Sequence, residues 1–554
     1  MKSVSLTLIS DFNIELLGRF LGNAPGMEQG AVSVAPFGQV YPSLAKMQSG
    51  DQWGIVVWTL PEKSILHFAA AFNLEEVDHA EVLGEVDRFA DLIIVAGKKQ
   101  KVFVASWVLP PDYPGYGILD WRPGLGVRHL LAEMNLRLAN RFAGENNIYL
   151  IDSQQWMQNI AHPGSPKMWY AAKVPYAPSV FEQAAAEIIS AIEAIEGFSR
   201  RLIIVDLDNT MWGGVVGETG WEGIRLGGHD HIGEAYKDFQ RELKSLAQRG
   251  IQLAIVSKND ETVALEAIDQ HQEMLLRRTD FAGWRINWQD KAANIMALVG
   301  ELNLGLASVV FIDDNPAERD RVAKALPEVL VPEWPKDPTA YVSALRTLKC
   351  FNAASISKED RDRKAMYVAD RVRRKMNHEV DSPDEWLQRL GTQVLVSRIT
   401  ANNVVRVAQL FNKTNQLNLS TRRLSEKEIV AWAEMPGHAM LALSVSDHFG
   451  DMGLVGIIGV EASGGNGKLV DFILSCRVMG RKVEETLIHL AVTELAKLGA
   501  QVMNVQYLPT ARNRPTLDVF HNAGLKEVSE HHFIIHVKDG FPKPDSVVLD
   551  FGHD

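Results

Sequence analysis

The sequence predicts a three-domain α/β protein, and three observations carry that prediction. The chain has 554 residues, 46% of them hydrophobic, too long a chain for a single core. The apolar runs Arg201–Asp206, Ile251–Val256 and Ser308–Ile312 each lead into polar residues that open a new segment, as buried strands of an α/β sheet do. No repeat at a fixed period and no low-complexity tract interrupts the chain, which excludes solenoids and disordered arrays.

Bulk charge narrows the partners. Lys and Arg number 57 against 69 Asp and Glu, a formal charge of -12, so a nucleic acid or an anionic membrane is not expected as the main ligand. An acidic carrier protein would need a local basic patch. Cys350 and Cys476 are the only cysteines, too few for a disulfide framework and suited to a reducing compartment. Met1 to Asn13 has no long apolar core before Asp11, and no apolar run approaches membrane-spanning length. A soluble, cytoplasmic protein is expected.

Along the chain, residues 1–198 form the first expected domain. There, short apolar stretches such as Trp53–Leu60 and Leu92–Ala96 alternate with helical patterns. Ser179 with Glu182 reads as a capping box that opens a long helix, and Gly197 closes it. The strand Arg201–Asp206 then begins a second domain, 199–350. After Pro332, Pro335 and Pro338 the pattern turns irregular, and Ser357 to Met376 reads as a charged helix within a linker, 351–381. Ser382–Pro383 starts the last domain, 382–554.

The middle domain carries the chemistry. Val205-Asp206-Leu207-Asp208-Asn209-Thr210 places two carboxylates two apart at the carboxyl end of a buried strand, where open α/β sheets bind ligands. Because the backbone turns as it leaves the strand, both can face one phosphate. Asp206 is then the covalent nucleophile, and Asp208 the acid and base for leaving group and water. A carboxylate approaching a phosphate dianion meets repulsion, so a cation and fixed donors are needed. Thr210, the Ser257 hydroxyl at a helix start, and Lys291 are the expected phosphate-binding residues. Asp313, in Asp313-Asp314-Asn315-Pro316, is expected to complete the oxygen coordination of Mg²⁺ with Asp206 and the carbonyl of Asp208.

An isolated Asp-x-Asp is often a solvated turn, but four elements in order at strand ends and helix starts are not. Lys258, Asp260 and Asp290 lack such support and read as caps or surface charges. His229 and His231 flank Asp230, which reads as a helix cap, since neither a cysteine nor a third histidine lies nearby. Only residues 207–256 separate Asp206 from Ser257, and 258–290 separate Ser257 from Lys291. No lid domain fits either gap. Trp212–Gly217 makes a small flap, and a capless site suits a large substrate.

The run from Val205 to Gly228 resembles the FkbH-like branch of the haloacid dehalogenase (HAD) superfamily. So do Val256–Asp260, Arg285–Lys291 and Phe311–Arg319, and further matches occur in Leu410–Asn418 and Phe449–Leu454. The resemblance implies a capless HAD Rossmannoid domain in a protein that takes 1,3-bisphosphoglycerate, removes phosphate, and loads the glyceryl unit as a thioester on the phosphopantetheine arm of an acyl carrier protein.

In the last domain, Leu469–Ser475 reads as a strand, Arg477 to Lys482 as a basic turn, and Val483–Leu498 as an amphipathic helix. This resembles the pyrophosphate loop of GNAT-type acyltransferases, and Asn513, Phe520 and Gly524 resemble the next part of that fold. The likeness makes Arg477, Gly480, Arg481 and Asn513 the expected carrier- or acyl-binding residues. Lys482 stands where the pattern has a small residue, which argues against ordinary coenzyme A. Cys476 precedes the loop, where a helix start, Arg477 and Arg481 would lower a thiol pKa, and the resemblance makes it the candidate for a transient glyceryl thioester. Its alternative reading is a small core residue. Asp447, His448 and Asp451 read as loop-structuring residues, with His448 a second candidate as base for the thiol. Asn415, Gln416 and Asn418 suit either a polyol or a turn.

Ser10-Asp11 follows the first strand, the position at which SGNH-type hydrolases carry their nucleophile. Asp152 lacks the Asp-x-x-His partner of that family, so a degenerate SGNH-like domain that binds carrier, substrate or another subunit is expected. The leading function is thus a phosphatase and glyceryl transferase. The competing ones are a plain small-molecule or sugar phosphatase whose last domain only covers the site, and a binding module with a dead core.

Overall fold

The computed structural model describes residues 4–552 apart from 48–52, 111, 159, 165, 229, 303, 354–381, 415–416, 476–477 and 511–512. The chain divides into two compact units, Met1–Ile192 and Glu193–Asp554. Most of the expected linker, and with it the expected helix Ser357–Met376, lies outside the described residues.

The first unit is built on β1 (Leu6–Ile9), β2 (Val32–Val34), β3 (Gly54–Val57), β4 (Lys101–Ala105) and β5 (Ile148–Ile151). All pair in parallel, in the order β2-β1-β3-β4-β5. Asp78 caps the helix His79–Gly97 by accepting from the amide of Ala80. That helix closes tightly on β5, for a Cβ at Gly97 would meet Ile148 at 2.7 Å. The apolar run Leu92–Ala96 belongs to this helix and not to a strand. Its buried residues Phe89, Ala90, Ile93 and Ala96 follow the helical period, and a short apolar run by itself does not distinguish the two. Ser179 lies inside the helix Pro178–Ile195, whose first residue is proline, so it is no cap.

In the second unit a four-stranded parallel sheet comprises β6 (Leu202–Val205), β7 (Gln252–Ser257), β8 (Phe281–Ile286) and β9 (Val309–Ile312), in the order β8-β7-β6-β9. Burial on both faces explains the continuous Leu-Ile-Ile-Val of β6. Ile203 and Val205 enter one core with Phe239 and Leu243, while Leu202 and Ile204 enter another with Ile295 and Leu298. Helices begin behind the strands under side-chain caps, Asp230 on Gly233, Asp260 on Val263, Asp290 on Ala293 and Asn315 on Ala317.

The remaining sheet contains β10 (Thr392–Arg398), β11 (Leu417–Asn418), β12 (His438–Asp447), β13 (Gly450–Ser463), β14 (Asn466–Leu474), β15 (Val502–Gln506), β16 (Glu527–Ser529), β17 (His532–His536) and β18 (Val547–Phe551). Its path is β16-β17-β15-β14-β13-β12-β10-β18, with β11 paired to β14. The helix Val483–Lys497 crosses between the parallel strands β14 and β15 and buries Leu487, Leu490 and Leu495 in the core. Among the described residues no helix is long and apolar enough to cross a membrane.

Candidate active site

The exit from β6 sets the site. Asn209 adopts φ 55, a left-handed conformation that asparagine tolerates, and the chain reverses there. The hydroxyls of Tyr236 and Tyr341 donate to its carbonyl at 3.3 and 2.9 Å, and its side chain accepts from the amide of Gly214 at 3.0 Å. This turn directs the chain into Trp212, which is fully buried and anchors the short flap.

Lys291, at the first turn of Lys291–Glu301, is the centre of the charge arrangement. Its ammonium lies 3.0 Å from Asp206 Oδ2 and 2.6 Å from Asp313 Oδ2, and the lysine is only 3% exposed. Burial pushes the ammonium pKa down, but the charges of Asp206 and Asp313 outweigh it and hold the value above that of an ordinary lysine. Burial, with the Asp206 charge next, pushes Asp313 up to about 7, and Lys291 opposes that rise. Asp314 is likewise raised by burial and by Asp206.

Asp206, Asp313 and Asp314 each offer an oxygen, and these oxygens lie within 4.8 Å of one another. Three carboxylates against one ammonium leave an excess of negative charge. Asp206 Oδ1 is moreover buried without a hydrogen-bond partner, a costly state that a divalent cation would relieve. The residues therefore fit a hard cation held by oxygens.

Asp208 is held differently. Its Oδ1 accepts from Trp212 Nε1 at 2.9 Å and from the Val216 amide at 3.1 Å, and its Oδ2 accepts from Asn259 Nδ2 at 2.8 Å. Burial raises its pKa, and these three donors oppose the rise. A carboxyl so oriented beside the nucleophile position is arranged for proton transfer.

The structure thus brings Asp206, Asp208 and Asp313, just beyond the ends of β6 and β9, together with Lys291 at the start of the helix that follows β8. Ser257, at the end of β7, is 2% exposed. Thr210 is fully buried and its hydroxyl is engaged with Asp314, donating to Oδ1 at 3.2 Å and accepting from the Asp314 amide at 3.1 Å. It therefore positions Asp314 and does not face a phosphate. Asp314 joins the acid cluster although only Asp313 was expected there, and Asn259 was not anticipated as the partner of Asp208. The signals were faint: Asp314 adjoins Asp313, and Asn259 follows Ser257 by two residues at a helix start. Lys258 pairs with Glu318 at 2.6 Å, in keeping with a surface charge.

In the last sheet, Asn513 is fully buried with its side chain consumed internally. Its Oδ1 accepts from Tyr507, from the Thr510 amide and from the Thr510 hydroxyl, and its Nδ2 donates to the carbonyls of Asn418 and Leu508. No capacity remains for a carrier or acyl group, and that expectation is corrected. Arg481 is 6% exposed and pairs with buried Asp447 at 3.1 Å, so it is a structural ion pair of the loop. Gly480 adopts φ 74 and its amide donates to Glu484 Oε1 at 2.6 Å. Lys482, at φ 63, takes a left-handed conformation that a glycine would adopt with less strain. Asp447 and Asp451 accept from the amides of Phe449 and Gly453, as loop-structuring residues do. Asn418 donates to Thr414 and accepts from Thr421, which is the turn reading. Cys476, Arg477, Asn415, Gln416 and His229 lie outside the described residues.

No family model matches the chain, and no curated protein matches it. The GNAT domain of S. lividans PAT is 15% identical with a TM-score of 0.21, covering 26% of this chain and 89% of its own. The N-terminal part of the protein BF1531 from Bacteroides fragilis, which contains a phosphatase domain and was crystallised with Mg, is 27% identical with a TM-score of 0.58. That alignment covers 64% of this chain and 94% of the other, a share larger than the four-stranded domain by itself, so the likeness in fold extends beyond the sheet that carries the acid cluster.

Proposed function

We propose that this chain is a Mg²⁺-dependent phosphoryl-transfer enzyme of the HAD type with Asp206 as nucleophile. We further propose that it acts on 1,3-bisphosphoglycerate and delivers the glyceryl unit as a thioester to an acyl carrier protein. One observation carries the phosphoryl-transfer reading: Lys291 bridges Asp206 and Asp313, while the other oxygen of Asp206 is buried and unpartnered. The Mg-bound phosphatase-domain structure of BF1531 supports the same reading.

Asp206, Asp313 and Asp314 would hold the cation, which when bound neutralises phosphoryl oxygens and lowers repulsion against an attacking carboxylate. Asp206 attacks phosphorus, forming an aspartyl phosphate as the bond to the leaving oxygen breaks. Asp208, held by Trp212, Val216 and Asn259, gives that oxygen a proton and later takes one from the water that releases phosphate. Lys291 keeps Asp206 and Asp313 in place and supplies positive charge. In the transfer step a thiol, of Cys476 or of the carrier, attacks the acyl carbon. A carbon–sulfur bond forms as the bond from the acyl carbon to the phosphate oxygen breaks, and the phosphate leaves as inorganic phosphate while the thiol proton passes to solvent. Asp206 removes the other phosphate of the substrate, in a separate step.

Plain phosphatase activity is the second reading. It is favoured by the internal commitment of Arg481 and Asn513, two of the residues expected to meet the carrier. Intact mass of the protein and of candidate carriers, after incubation with 1,3-bisphosphoglycerate and Mg²⁺, separates the two. A glyceryl adduct on a carrier supports transfer, and phosphate release without any adduct supports the plain phosphatase. Asp206→Asn keeps the shape but removes the nucleophile, so it is expected to abolish phosphate release with an unchanged circular dichroism spectrum. Wild-type release from that variant would sink the assignment of Asp206.

A further inference from the structure

The first unit contains a cavity of about 390 Å³ that plays no part in the chemistry above. It lies at the carboxyl ends of β1 and β2, the edge of a parallel sheet where ligands are commonly taken. Ile14, Val34 and Phe37 contribute apolar wall, and Phe37 is 59% exposed, a large aromatic surface left for a ligand to cover.

Three residues that carry hydrogen-bond donors line the same cavity, Ser10, Asn13 and Lys173, and the Lys173 ammonium lies over the Trp169 ring, 5.2 Å from its centroid, a contact that leaves its N–H groups able to donate. Ser10 is 5% exposed, and its Oγ accepts from the Phe12 amide at 3.1 Å, which leaves the hydroxyl hydrogen to donate to another atom. Asn13 Oδ1 accepts from the Glu15 amide at 3.1 Å, which leaves Nδ2 as a donor. Lys173 stands at φ 56, a left-handed conformation uncommon for lysine, and its carbonyl accepts from the Asn13 amide at 2.9 Å. The residue bearing the ammonium is thereby tied to the segment that follows β1. Glu15 is the one acid in the lining, and it is exposed in the first turn of its helix.

We propose that this cavity binds a small carboxylate with an apolar body, of the size of a short-chain fatty acid, and does not cleave it. Donors without a matching buried acceptor call for a ligand rich in acceptors, and the apolar wall calls for a hydrocarbon body. Among the described residues no histidine lines the cavity to activate Ser10, so binding without hydrolysis follows.

Isothermal titration of the full chain with hexanoate, hexanol and hexylamine tests this directly. Hexanoate is expected to bind saturably, and the other two at least about tenfold more weakly. Lys173→Met and Ser10→Ala should each raise the hexanoate Kd by roughly fivefold or more, and Ala35→Phe, which fills the cavity, should abolish binding. Lys173 is exposed, so its variant remains informative even if Ala35→Phe does not fold. Equal affinity for hexanol, no saturable binding of hexanoate, or wild-type affinity in Lys173→Met would overturn the proposal. None of these outcomes depends on phosphate release, which is measured separately on the same samples.

Discussion

Lys291 donates to Asp313 across 2.6 Å in a place where both side chains are almost wholly buried, and Asp206 lies 3.0 Å from the same ammonium. Without that ammonium, two carboxylates would face each other in a poorly solvated site. With it, the site still carries excess negative charge, which a divalent cation can offset. Asp313→Asn should therefore raise the Mg²⁺ concentration for half-maximal activity by roughly 10–100-fold, with partial recovery at high metal. Activity that survives exhaustive chelation in the wild-type protein would contradict a cation at this cluster.

Asn259 is expected to act through Asp208 and not on phosphate itself. Removing its 2.8 Å hydrogen bond in Asn259→Ala costs about 1.5–3 kcal/mol of positioning, roughly 10–100-fold in kcat. The loss should depend on the leaving group. An alkyl phosphate needs its departing oxygen protonated, whereas 4-nitrophenyl phosphate leaves readily without help. Equal losses on both substrates would reduce Asn259 to a structural role, and Asn259→Gln restoring the alkyl rate would strengthen the positioning one.

The strands of the middle domain were legible because β6, β7 and β9 are buried on both faces and end in residues that cannot continue a hydrophobic run. Asp206, Asp208 and Asp313 stand at those ends, so local pattern sufficed to place them. Thr210 and Asn513 were misread for different reasons. The partner of Thr210, Asp314, lies far along the chain, where no local spacing encodes it, whereas Asn513 is consumed mainly by its own turn, through Tyr507, Leu508 and Thr510, with Asn418 as one distant partner. Leu92–Ala96 failed on period: the run is five apolar residues long although Val95 is exposed, and so short an uninterrupted run resembles a strand. Local cues also mistook Ser179 for a cap when proline at 178 was the real helix start.

Asp11 provides a pH-dependent test in the first unit. Burial pushes its carboxyl up to about 6, against the pull of hydrogen bonds from the Leu60 amide and the Ser64 hydroxyl. A carboxyl raised above its unfolded value favours the protonated fold, so its contribution to stability is full below about pH 4 and is lost as the pH rises through about 6. Asp11→Asn removes that loss while keeping an acceptor for Leu60. Urea denaturation should find the variant more stable than wild type by roughly 1–3 kcal/mol at pH 7.5, with little difference at pH 4. A variant less stable at pH 7.5 would show that the ionised carboxylate is needed.

The two cysteines yield the last prediction. Cys350 is mostly buried, and burial pushes its thiol up to about 12, so almost none is thiolate near neutral pH. Iodoacetamide at pH 7.5 should leave Cys350 largely unmodified in the folded protein, as read by peptide mass. Cys476, flanked by Arg477 and followed by Arg481, is proposed to be the reactive one, and its alkylation should be faster. If Cys476 also carries the glyceryl unit, Cys476→Ala should retain phosphate release at Asp206 yet form no enzyme thioester and load carrier poorly, while Cys350→Ala behaves like wild type. Carrier loading by Cys476→Ala at the wild-type rate would instead assign capture of the acyl carbon to the carrier thiol and return Cys476 to a packing role. Alkylation of Cys350 at the rate of a free thiol would contradict the burial that sets the first half of the comparison.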